Sequence, residues 1–163
     1  MNADPVEKAV AEVRKQTMAE LRTAVRAANP ATLQRLAVDI VPALFRNGYR
    51  GESAGEPGEH CADAFARPRL EALPTFLVRI HSGEFTREDA EHLRAAMLRS
   101  HITQAALAIL GDRPLHPDAR LLLQPVVPWL LDTDGLVNLM INANVGVSTR
   151  VYETKCVNAA YFA

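Results

Sequence analysis

Apolar residues recur at helical spacing from the start of the chain. Val6, Val10, Val13, Thr17, Leu21 and Val25 follow one another at steps of three and four, which lines one face of an α-helix. Asp4-Pro5-Val6-Glu7 supplies a start signal, with an acidic cap, proline at the first helical position and glutamate at the third. Asn29-Pro30 repeats it, so the first helix is expected to stop near Ala28 and a second to carry Leu33, Leu36, Ile40 and Leu44. Pro42 falls inside that second pattern and predicts a kink or a split, because it removes a backbone donor and crowds the preceding turn. Asn47-Gly48 closes the helix, and a polar loop is expected as far as Glu59.

The middle of the chain also reads as helical. A short piece is expected over 60–67, and Leu70, Leu73, Leu77 and Ile80 keep helical spacing up to the stop at Ser82-Gly83, with Pro74 as an alternative start. Thr86-Arg87-Glu88-Asp89 resembles a capping box, with Phe85 placed to staple onto Ala90. The helix it opens is expected to reach Leu110 before Gly111. Its last turns, AALAIL, are apolar all round and so predict burial.

The pattern then changes. From Leu121 to Val147 the only charged residues are Asp132 and Asp134, and Pro125 and Pro128 forbid a long helix. Residues 134–155 read in two ways, as the two strands of a β-hairpin or, up to about 145, as a helix capped by Thr133. The summed pattern predicts a mainly α single domain over 1–163, a four- or five-helix bundle with an apolar C-terminal segment. Its parts are N-terminal helices over 4–46, a flexible acidic loop over 47–59, central helices over 60–111 and a low-charge segment over 112–163.

Composition bounds this picture without redirecting it. A chain of 163 residues with 48% hydrophobic and 23% charged residues is ordinary for one globular domain, which buries about 70% of its unfolded surface. The net charge of −1 gives no overall attraction to nucleic acid or to an anionic membrane. Two cysteines, Cys61 and Cys156, and an N-terminal stretch without an apolar signal core point to a reducing, cytoplasmic setting. No run of 18 apolar residues is present, so no spanning helix is expected.

Candidate chemistry is sparse. Gly51-Glu52-Ser53-Ala54-Gly55 matches the G-x-S-x-G pattern of serine esterases, but that pattern needs a buried strand before the serine and a helix after it. Glu56-Pro57-Gly58 follows instead, so the match is set aside. Glu59, His60, Cys61 and Asp63 cluster, and Glu88 stands one turn from His92, yet neither set has the ligand spacing of a zinc or di-iron site. Asp89-x-x-His92 stands alone, where a di-iron bundle needs two such pairs. No metal or cofactor is expected. His101 falls on the apolar side of its predicted helix, where burial would lower its pKa and suit it to be a base or a ligand.

Three functional readings follow. The leading one is a non-enzymatic assembly subunit, self-associating or bound to a protein partner through its low-charge C-terminal third. Trp129, Tyr152, Tyr161 and Phe162 would be its contacts, since interfaces favour aromatic residues. The alternative is a small helical enzyme or a ligand- or metal-binding protein with a site near His101, completed by the His60-Cys61 loop. The third is a nucleic-acid-associated subunit, with Lys8, Lys15, Arg22 and Arg26 on one side of the first helix as candidate phosphate contacts.

Overall fold

The computed structural model describes residues 5–149. It overturns the helical bundle: a five-stranded mixed sheet, in the order β1-β2-β3-β4-β5, runs through the middle of an α/β fold. In chain order the elements are α1 (Pro5–Ala27), α2 (Pro30–Asp39), α3 (Val41–Leu44), β1 (Tyr49–Ser53), β2 (Cys61–Pro68), β3 (Phe76–His81), α4 (Arg87–Arg99), β4 (Ala105–Ile109), α5 (Pro117–Leu123), β5 (Trp129–Leu131) and α6 (Thr133–Ala143). A short 3-10 turn, Arg46–Gly48, leads into β1.

α2 forms as its cap predicts, whereas the Asp4 cap expected for α1 lies outside the described residues. Asn29 accepts a hydrogen bond from the Thr32 amide at 2.8 Å, and Pro42 splits off α3 as a separate turn. Thr86 and Asp89 complete a reciprocal capping box at the start of α4, and Phe85 is buried in the same cluster as Ala90.

The strands occupy segments whose spacing favours helix. In β2 the buried residues are Ala62, Ala64 and Ala66, a period of two written in alanine, which intrinsically prefers helix. Strands β3 and β4, FLVRIH and AALAI, are buried along their whole length. A strand covered on both faces loses its alternation and resembles a buried helix in sequence. The predicted helix over 86–110 therefore ends at Arg99 and resumes as β4. The predicted flexible loop over 47–59 contains β1, which pairs with β2 from Tyr49↔Pro68 to Ser53↔Ala64. The hairpin reading of the C-terminal segment also fails within the described residues: 133–143 is α6, capped by Asp132, whose carboxylate accepts from the Gly135 amide at 2.7 Å.

β1, β2 and β3 form an antiparallel meander, whereas β3, β4 and β5 are parallel. Helices α4 and α5 supply the two crossovers that parallel strands require, and both bury their apolar sides with Leu77, Leu107 and Ile109 on one face of the sheet. The core on the other face gathers α1, α2 and α6 over Ala62, Ala64, Val78, Ile80 and Ala106. Phe45, Tyr49, Phe76 and Trp129 form an aromatic cluster within that second core, with the Phe45 and Phe76 rings stacked at 4.8 Å and Trp129 edge-on to Phe45 at 4.9 Å. No helix among the described residues is long and apolar enough to cross a membrane.

Candidate functional site

The sheet separates residues that the sequence had suggested as one site. His101 follows the last turn of α4, exposed, with a left-handed backbone (φ 53°). Its expected burial is thus corrected: once the helix ends at Arg99, His101 no longer lies on an apolar helical face. It also precedes β4, whereas His60 and Cys61 lie at the opposite end of the sheet, with Cys61 paired to His81 at the last residue of β3. β4 alone, at about 3.3 Å per residue, holds the two groups roughly 15 Å apart. They do not form a common site.

The basic stripe of α1 is divided as well. Arg22 is paired with Asp134 and Arg26 with Asp112, so both are engaged within the domain. Lys8 and Lys15 stay exposed. Trp129 is half-buried in the aromatic cluster. Tyr152, Tyr161 and Phe162 lie outside the described residues.

A polar network that the sequence did not suggest sits on β2 and β3. Arg79 Nε and Nη2 each donate to one oxygen of Asp63 at 2.7 Å, and the two side chains are only 7% and 17% exposed. Burial works against the Arg79 charge, but the hydrogen bonds and the negative charge of Asp63 outweigh it, and the guanidinium pKa is raised. The arrangement is a bidentate fork, the strongest geometry open to this pair. Both carboxylate oxygens of Asp63 are taken up by it.

Two residues further along the same face of β3, His81 is buried against Phe85, its ring edge-on at 4.9 Å. Its Nε2 lies 3.1 Å from the carbonyl of Glu84 and 3.9 Å from the Asp89 carboxylate. Burial lowers the His81 pKa, against the pull of Asp89. Asp89 is itself lowered: its partial burial opposes ionisation, but hydrogen bonds from the Thr86 side chain and backbone and the nearness of His81 prevail.

The fold therefore favours neutral His81, and a pH dependence follows. An unfolded histidine titrates near pH 6.5, so below that pH the unfolded chain takes up a proton that the fold resists. Stability is complete above about pH 6.5 and falls as the pH drops towards the folded value. The loss attributable to His81 between pH 6.5 and 5.5 is at most about 1.4 kcal/mol, the linkage limit for one proton over one unit. Urea midpoints at pH 7.5 and 5.5, compared between the wild type and His81→Gln, read this out. Equal pH sensitivity in both proteins would show that His81 is not held neutral.

The other distinctive feature is the first half of α1. Leu21 and Val25 are buried, and Arg14 reaches Asn142 and Asn138 of α6 at 3.3 and 3.5 Å. Before that point the helix leaves Val10 and Val13 exposed, at 63% and 64%. No protein-family model matches the chain and no curated protein matches it, so the functional reading rests on this geometry.

Proposed function

We propose that the chain is a non-enzymatic assembly subunit, and that α1 carries its contact with a second copy. The supporting observation is the exposure of Val10 and Val13 on a helix whose later turns are core. Valine lowers helix propensity and gains nothing in water. Isolated helices of about a dozen residues are marginal in water, so the exposed Val10 and Val13 add nothing to the stability of this one. The arm is better explained by a partner that covers it.

Charge favours a second copy over an unrelated protein. When two α1 helices cross antiparallel about Val10, Glu7 of one copy falls near Arg14 of the other, whose guanidinium already donates to the neutral amides of Asn142 and Asn138, and the reverse pair forms by symmetry. Val10 meets Val10 of the other copy between these pairs. Such a contact is smaller than the 1,200–2,000 Å² typical of stable complexes, so association is weak and depends on concentration. On this reading the subunit works in the cytoplasm. Trp129 contributes by holding the domain together.

Light scattering after size-exclusion chromatography, over a protein range of roughly 5 to 500 μM chosen to bracket a micromolar Kd, tests the proposal. The wild type is expected to move from 17.9 kDa towards twice that mass. The Val10→Glu/Val13→Glu variant should stay monomeric, with an unchanged melting temperature because both positions are exposed. A wild type that is monomeric throughout, or a variant that still dimerises, rejects α1 as the contact.

A further inference from the structure

β4 and β5 are parallel neighbours whose exits diverge. The chain leaving β4 turns to α5 on one face of the sheet, and the chain leaving β5 turns to α6 on the other. In open α/β sheets the crevice outside the carboxyl ends of the strands, at such a switch point, is where ligands are held. This one contains a cleft of about 400 Å³, a size typical of small-molecule sites, which run from about 300 to 1,000 Å³.

The cleft has two kinds of wall. Ile109, Leu115, Leu130 and Leu131 supply apolar surface, and Arg113 and Arg120 supply charge. Arg113 is committed, with Nη1 at 3.3 and 3.2 Å from the two carboxylate oxygens of Glu84. Arg120 makes no ion pair among the described residues, and it projects from α5 beside Leu115 and Leu130 as an exposed side chain. Asp132 also lines the cleft, with one oxygen engaged in capping α6.

We infer that this cleft binds a small monocarboxylate with an apolar body. The planar fork of Arg120 matches a carboxylate in two parallel hydrogen bonds, and the leucine walls cover the body. The balance of charge sets the valence. Glu84 offsets Arg113, which leaves one cation to hold the head, and the Asp132 carboxylate in the same lining disfavours a second negative charge on the ligand. A phosphate dianion has the wrong charge and no apolar part to bury. The site lies at the opposite end of the sheet from the aromatic cluster and is independent of the α1 contact.

The test uses the full chain, isotopically labelled and followed by amide chemical shifts, with benzoate as the probe. Nine heavy atoms at ordinary ligand efficiency give a Kd of about 0.1–10 mM. Benzoate is expected to shift the amides of residues 130–135 saturably, benzyl alcohol to bind at least about tenfold more weakly, and inorganic phosphate to leave them unmoved. Arg120→Gln, at an exposed position, should weaken benzoate at least about fivefold while the rest of the spectrum stays in place. The inference is overturned by any of three results: no benzoate shifts by about 20 mM, twice the upper expected Kd; equal benzoate binding in the Arg120→Gln protein; or phosphate binding as tightly as benzoate.

Discussion

Asp63→Ala is expected to cost about 3–5 kcal/mol, the usual result of leaving one partner of a buried ion pair without the other. Arg79 is 93% buried at its side chain by the 7% that remains exposed, and it cannot shed its proton to escape, because guanidinium stays charged at any accessible pH. The Asp63→Leu/Arg79→Met double variant should recover most of the loss. Replacing both charges with apolar groups of similar volume is commonly neutral or stabilising, since the attraction within such a pair roughly cancels the cost of drying it. Urea unfolding of Asp63→Leu, Arg79→Met and the double variant gives the coupling directly. A single-variant loss below about 1 kcal/mol would mean that water reaches the guanidinium in the folded chain. A double variant as unstable as Asp63→Ala would mean that the pair holds the sheet in a way apolar packing cannot replace.

That pair was not legible in the sequence, and the reason is structural. Asp63 and Arg79 become neighbours only when β2 and β3 pair in the register Asp63↔Arg79, and neither segment announces itself as a strand. Alternating alanines at 62, 64 and 66 are a strand signal carried by a helix-forming residue, and Leu70, Leu73, Leu77 and Ile80 keep helical spacing across a turn and a strand. What was legible depended on side chains that act locally. The Asn29 cap, the Thr86–Asp89 capping box and the break at Pro42 all form as expected, because each needs only a few consecutive residues. His101 shows the same limit in reverse. Carrying the α4 pattern on to Leu110 put His101 on an apolar face, whereas the polar run Ser100-His101 and then Thr103-Gln104 marks the point where the helix gives way to the approach to β4. The candidate contact on α1 was visible as a stripe, but sequence spacing does not say which half of a stripe the domain covers.

Gly51→Ala should be the most damaging single-methyl addition, at about 3 kcal/mol or more, the upper end of what overpacking costs. Gly51 lies mid-strand in β1, opposite Ala66, where α2 passes over the sheet. A Cβ at Gly51 would overlap the Val38 carbonyl and lie 2.7 Å from its carbon. The obstacle is backbone, so no rotamer change relieves it. α2 cannot back away cheaply either, because Leu33, Ala37 and Ile40 fix it in the core. This is also the physical reason for the first glycine of the esterase-like GESAG stretch: it lets a helix rest directly on an edge strand. Gly48→Ala is the control. Nothing lies within 4 Å of a Cβ there and its backbone is not left-handed, so the effect is near zero or a stabilisation of about 0.4–1 kcal/mol from the stiffer unfolded chain. In a domain of this size 1 kcal/mol moves Tm by about 2–4 °C, so thermal unfolding should place Gly51→Ala roughly 6–12 °C below the wild type and Gly48→Ala level with it or slightly above. Should both variants melt with the wild type, α2 does not rest on β1 as described, and the packing of that whole face of the sheet would have to be redrawn.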